Sequence, residues 1–268
     1  MSRYIPYYSS ALYQAMKTRT ADTNMRTVLR SILVNSHVAE PGQMDRIVAK
    51  CAPDNKICYQ HTPLGYERAR LFLMGYFYLV QTAGNQYAIK EAYCNKLYGP
   101  EEFRSKSQMP RPQFIPDNTV INVEHTWPQS RFTGQHPTDT QKSDLHHLYP
   151  TDSKLNAIRG NYPFGEVETD SSVLKCGQSR FGQSRTIRGP VFEPPDVHKG
   201  HVARALFYFA VRYDLTIDAA QEATLRSWHQ QFPVDSEELL RNDEIHKAQG
   251  NRNPFIDHPE LVASMRDF

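Results

Sequence analysis

The chain has 268 residues, of which 39% are hydrophobic, 11% aromatic and 22% charged, and its formal net charge is +2. It is long enough to bury roughly 75% of its unfolded surface, and the composition excludes a disordered or fibrous chain. A charge this close to balance permits a polyanionic partner without arguing for one. The longest apolar-rich run, residues 71–80, is dotted with Tyr and Gly and falls well short of the ~18 residues of a membrane span, so no membrane association is expected.

The opening Met1-Ser2-Arg3-Tyr4-Ile5-Pro6 lacks a charged segment followed by an apolar one, so no signal peptide is read. Cys51 and Cys58 flank Pro53-Asp54-Asn55, while Cys94 and Cys176 are far apart. The even count allows two disulfides, the close pair closing a small loop; the spacing fits no zinc site.

Residues 1–116 read as mainly helical, with apolar periodicity over 25–38 and a more uniformly apolar run over 66–80. The four prolines of 100–116 predict a connecting loop. Thr119-Val120-Ile121-Asn122-Val123-Glu124-His125 is dense in β-branched residues and predicts a strand, ended by Pro128. A second short strand is expected over 144–148, closed by Pro150. Thr151 or Asp152 then caps a helix running to about Arg159 and stopped by Gly160. Residues 117–165 thus read as strand, loop, strand, helix.

Residues 166–195 read as an irregular stretch holding Arg180, Arg185 and Arg188, a basic run whose plain reading is a solvated loop. From Val202 to Tyr213 apolar residues keep helical spacing on one face. Asp218 with Gln221, and Asp235 with Glu238, form capping boxes for two more helices, and Gly250 stops the last. The fold class expected is α+β, in one domain over 1–268.

The chemistry concentrates at Glu124-His125 and His146-His147, beside the two predicted strands. Consecutive strand residues point to opposite faces, so Glu124 and His125 share a site only if the strand ends or twists there. Asn156 stands mid-helix, where Asn is a mediocre helix former and invites a reason. A carboxylate with an amide oxygen suits Mg²⁺ at a phosphate-handling site, and a neutral imidazole beside them suits proton abstraction from water. His146 and His147 read equally well as packing groups or as residues orienting His125. A zinc hydrolase using His125, His146, His147 and Glu124, and a non-catalytic nucleic-acid-binding protein on a related scaffold, are the alternatives.

Val123-Glu124-His125-Thr126-Trp127-Pro128-Gln129-Ser130, Asp144-Leu145-His146-His147-Leu148 through Leu155-Asn156, and Arg159-Gly160-Asn161 resemble the bacterial endonuclease I family. A further stretch, Glu193-Pro194-Pro195-Asp196 through Gly200 and Ala203-Arg204 to Gln249-Gly250-Asn251-Arg252-Asn253-Pro254-Phe255, resembles it too. The likeness is clear over about residues 120–262 and loose before them. It implies a ββα-metal (His-Me finger) core within a mostly helical protein that cuts DNA and RNA with little sequence preference. It further implies His125 as general base and Glu124 and Asn156 as ligands of Mg²⁺, with Mn²⁺ or Ca²⁺ able to substitute in binding. An arginine would hold the scissile phosphate: Arg131, with Arg159 in reserve. Arg180, Arg185 and Arg188 would follow the nucleic-acid backbone. A monomer is expected, in the periplasm or secreted, with the leader absent from this sequence.

Overall fold

The computed structural model describes residues 4–18 and 22–268. Met1, Ser2 and Arg3, where the segment read for a leader begins, lie outside the described residues. The N-terminal part runs α1 (Ser10–Thr18), α2 (Asp22–Val34), β1 (Ser36–Val38), β2 (Arg46–Val48), β3 (Cys58–Tyr59), α3 (Tyr66–Phe72), β4 (Leu79–Gln81), β5 (Tyr87–Glu91) and β6 (Lys96–Tyr98). Its strands form two antiparallel three-stranded sheets, ordered β2-β1-β3 and β4-β5-β6. These strands are two to five residues long, too short for period-two alternation to register against helical spacing. The helix expected over 25–38 ends at Val34 and the chain turns into β1. The run over 66–80 is helical only through Phe72, passes through a π-turn at Leu73–Phe77 and then enters β4.

The middle of the chain carries β7 (Ile121–His125), α4 (Thr138–Lys142), β8 (Leu148–Asp152) and α5 (Ser153–Arg159). The second strand begins where the sequence reading ended it: 145–147 form a 3₁₀ turn capped by the Asp144 side chain, and β8 follows. Pro150 stands inside this strand, opposite Val123. Thr126 N–H donates to His147 O and Ser153 N–H to Val120 O, so the hydrogen-bonded pairs are 120/153, 122/151, 124/149 and 126/147. Val123 and Pro150 therefore form a non-hydrogen-bonded pair, where the missing N–H of proline costs no ladder bond. Asp152 caps α5 as expected, Oδ1 accepting from Lys154 N and Leu155 N at 2.9 Å each, and Gly160 (φ 52) ends it.

β9 (Thr169–Ser172), β10 (Arg180–Gln183) and β11 (Pro190–Glu193) form a third antiparallel sheet where an irregular stretch was expected. Then come α6 (Asp196–Arg212), α7 (Ala219–Gln231), α8 (Ser236–Gln249), α9 (Pro254–Asp257) and α10 (Leu261–Ser264). The N-cap half of each expected box forms: Asp218 accepts from Ala220 N and Gln221 N, and Asp235 from Glu238 N, while the Glu238 carboxylate turns to Arg204. α6 is buried on every side from His198 to Arg212 and not on one face alone, as befits a helix at the centre of a core. Its polar residues survive there by pairing, as Arg204 does with Glu238 (Nε to Oε1 2.9 Å). Cys51 pairs with Cys58, and Cys94 with Cys176.

The N-terminal sheets position the middle segment. Glu91, on β5, accepts from Tyr93 N and Cys94 N at 2.6 Å and from Asp152 N at 2.7 Å. Asp152 Oδ2 in turn accepts from the Tyr98 hydroxyl at 2.5 Å. The residue that starts α5 is thereby tied to β5 and β6.

Candidate active site

β7 places Asn122 and Glu124 on the face that meets α5. Asn122 Oδ1 accepts from Asn156 Nδ2 at 2.8 Å, which leaves the Asn156 carbonyl oxygen as an acceptor. Glu124 Oε1 lies 2.6 Å from Arg159 Nη1, with both side chains 2% exposed. Arg159, one helical turn after Asn156, also donates to the carbonyls of His125 (3.0 Å) and Thr126 (2.7 Å), and its guanidinium stacks over Phe164. Burial pushes the Glu124 carboxyl up from its ordinary value, opposed by the Arg159 charge and by the neighbouring Tyr93 hydroxyl.

His125 is the last residue of β7, and its ring meets Tyr66 (5.3 Å between centroids) and His147 (5.4 Å). Its Nε2 is 3.0 Å from Lys142 O, an acceptor only, so Nε2 carries the proton and Nδ1 is the basic nitrogen. The Gln129 amide donates to Nδ1 at 3.2 Å. Burial, reinforced by His147, lowers the His125 pKa to about 3, against the raising effect of the Lys142 carbonyl. The imidazole is neutral at neutral pH.

Glu124, His125, Asn156 and Arg159 line one open cleft of about 620 Å³, together with Asn122, Gln129, Tyr66 and Arg70. The β7–β8 pairing stays regular through Thr126, so alternation is not broken at Glu124-His125 as the sequence reading required. The cleft instead wraps the end of the strand and takes in both faces. Two larger hollows, about 810 and 790 Å³, lie elsewhere, and neither is lined by a histidine.

The other candidates fall outside this cleft. Arg131 is exposed, donates to Asn161 O at 3.0 Å and lines a small adjoining hollow. His146 and His147 are fully buried: His146 packs on Tyr208 and reaches Asn251 O, while His147 packs on Phe209 and reaches Gln141 O at 2.8 Å. Burial lowers their pKa values to about 3 and about 4. Arg180 is paired with Asp170 and Glu193, and Arg185 with Glu168, so two charges of the basic run are locally neutralised, while Arg188 is exposed.

Glu124 and Asn156 offer hard oxygen donors from adjacent elements, a set that fits Mg²⁺. Among the described residues, the only cluster of three or more His, Cys, Asp or Glu side chains close enough to chelate a metal is His201, Asp235 and Glu238. It is satisfied from within. Glu238 is bidentate to the buried Arg204, His201 Nε2 is 3.2 Å from Asp235 Oδ2, and Asp235 caps α8. His125, His146 and His147 do not converge on Glu124 as a zinc site.

The sequence reading missed Asn122, Gln129, Tyr66 and Arg70. Asn122 was within reach, because it stands two residues before Glu124 and so on the same strand face. Tyr66 and Arg70 come from a helix more than 50 residues upstream of β7, and no local signal placed them there.

Residues 54–260 match the model of the family described as Endonuclease I. The chain is 37% identical over 158 residues to the "Extracellular ribonuclease" of Bacillus subtilis (strain 168), covering 52% of this chain and 51% of that protein. It is 32% identical over 120 residues to an "Extracellular deoxyribonuclease" of Aeromonas hydrophila, covering 43% and 49%. A third relative, the "Endonuclease-1" of Buchnera aphidicola subsp. Baizongia pistaciae (strain Bp), is 28% identical over 115 residues, covering 43% and 46%. The chain spans about half the length of the curated relatives it matches. With that family match over most of its length, the chain belongs to the endonuclease I family.

Proposed function

We propose that this chain is a metal-dependent, sequence-nonspecific endonuclease that hydrolyses phosphodiester bonds of DNA and RNA to 5′-phosphate and 3′-hydroxyl ends. The observation that carries the reading is a neutral His125, its proton fixed on Nε2, beside Glu124 and Asn156 in one open cleft. The names of the relatives, ribonuclease and deoxyribonuclease alike, support an unselective substrate range. Names that say extracellular and periplasmic support an exported enzyme, to which the proposal adds a monomeric, single-domain chain. β7, β8 and α5 would be its ββα-metal core.

Glu124 and Asn156 would hold one Mg²⁺, with Mn²⁺ or Ca²⁺ able to replace it in binding, and the ion when bound would supply Lewis acidity at the phosphate. Arg159 holds the Glu124 carboxylate in place, and Asn122 turns the Asn156 oxygen outward. His125 Nδ1 takes a proton from water, and Nε2–H, donating to Lys142 O, stabilises the imidazolium that forms. The hydroxide attacks phosphorus in line, the bond from phosphorus to the 3′ oxygen breaks, and that oxygen leaves to gain a proton from solvent.

The test is nicking of supercoiled plasmid by wild-type and His125→Ala protein, with Mg²⁺ and with EDTA. Wild type should nick only with Mg²⁺, and His125→Ala should be slower by about 10²–10⁴-fold. Near-normal cleavage by His125→Ala removes it as the base; no nicking by wild type leaves a binding protein.

A further inference from the structure

Nucleic acid needs cations to hold its phosphates, and the cleft contains two arginines, Arg159 and Arg70. Arg159 is committed to Glu124 and to backbone carbonyls. Arg131 does not line the cleft and is engaged by Asn161 O, and Arg180 and Arg185 are held by carboxylates. Arg70 is half-buried, and among the described residues no hydrogen bond or ion pair engages its side chain. The Tyr66 ring lies 5.9 Å from its guanidinium carbon. With Glu124 balanced by Arg159, Arg70 leaves the cleft with a net positive charge, which a polyanion requires.

The position of Arg70 is fixed by the fold. Gln113 N–H donates to Gly75 O at 3.0 Å, and a Cβ on Gly75 would stand only 3.0 Å from Phe114 N. Glycine therefore allows the π-turn after α3 to lie directly on the chain leading into β7. On the other side Tyr66 meets the His125 ring at 5.3 Å and carries the Lys142 ammonium 4.7 Å from its centroid. Tyr66 thus touches both the base and Arg70, so the cation lies one ring contact away from His125 in the same cleft.

We propose that Arg70 anchors a phosphate flanking the scissile one, so that α3, outside the ββα unit, sets where the strand lies. This rests on the nuclease reading for its substrate. An arginine fork binds phosphate bidentately, which no other uncommitted group in the cleft can do.

The test is anisotropy of a labelled single-stranded oligonucleotide in EDTA, across a salt series, for wild type, Arg70→Gln, Arg70→Lys and Arg68→Gln, the last an exposed residue of the same helix. Arg70→Gln should weaken binding by on the order of tenfold. It should also flatten the slope of log K against log salt by about 0.7. Arg70→Lys should keep the slope, and Arg68→Gln should match wild type. With Mg²⁺, Arg70→Gln should raise KM and leave kcat within a few-fold. Should Arg70→Gln melt early, Arg70→Met, which keeps the packing stem, takes its place. Wild-type affinity and slope in the folded neutral Arg70 variant overturn the anchor while plasmid nicking leaves the nuclease reading standing. Weakened binding with no nicking by wild type keeps the anchor and removes the nuclease.

Discussion

Arg159 Nη1 sits 2.6 Å from Glu124 Oε1 with both side chains buried, and the same guanidinium holds the carbonyls of the two residues that follow Glu124. One arginine therefore fixes both the carboxylate and the strand end that carries His125. Removing it strands a buried negative charge, which typically costs about 3–5 kcal/mol. Arg159→Ala should lose stability on that scale in chemical denaturation, whereas the exposed Arg131→Ala should change it by less than about 0.5 kcal/mol. Equal, small losses would show that the pair contributes nothing.

Asn122 and Asn156 make a different prediction. Asn156→Ala deletes the oxygen proposed as a metal ligand, and Asn122→Ala removes only its hydrogen-bond partner. Asn156→Ala should need far more Mg²⁺ for half-maximal cleavage. Asn122→Ala should shift the requirement in the same direction by about 10–100-fold, the usual effect of losing a ligand-orienting group. An unchanged Mg²⁺ requirement in Asn156→Ala removes it from the metal site.

Acid should unfold this protein through its buried histidines. Burial lowers the pKa of His61 to about 4, of His146 to about 3 and of His147 to about 4. As pH falls from about 6.5 to 4 the unfolded chain binds these protons and the folded one does not, so the stability present above 6.5 is lost across that window. Each such histidine contributes a slope of about 1.4 kcal/mol per pH unit. Asp144 acts in the same sense at lower pH, because the surrounding His61, His146 and His147 outweigh its burial and hold its pKa down. Glu91 opposes with a single proton, its pKa raised to about 7 chiefly by burial. Denaturation midpoints should fall steeply between pH 6.5 and 4. A flat profile would show that these groups are not buried and neutral.

The Asp152 cap offers a test of how the two halves join. Asp152→Asn keeps the cap on α5 but removes the charge that accepts from Tyr98, so it should cost less than Asp152→Ala. Tyr98→Phe should lower stability by about 1–3 kcal/mol, leaving a buried carboxylate oxygen without its donor. Additive losses in the double variant Tyr98→Phe/Asp152→Ala would show that the two residues are uncoupled.

Local chemistry made the centre of the site legible. β-branched density announced β7, Asp152 and Gly160 announced the ends of α5, and the capping boxes announced α7 and α8. What the sequence hid was long-range. β8 was misplaced because Pro150 looked like a terminator, and only the register against Val123 shows why it is tolerated. Arg70 and Tyr66 reach the cleft through tertiary packing alone. The pairing of Cys94 with Cys176 is likewise a property of the closed fold.

That second disulfide joins residues 82 apart, and Glu124, His125, Asn156 and Arg159 all fall between its ends. In the chain-entropy view, closing a loop of that length is worth about 4–5 kcal/mol, comparable to the whole margin of a typical domain. The gain is realised only where thiols oxidise. Under reducing conditions the segment bearing Glu124, His125, Asn156 and Arg159 would lie in an open chain held by noncovalent contacts alone. The clasp thus ties full assembly of the cleft to the redox state of its surroundings.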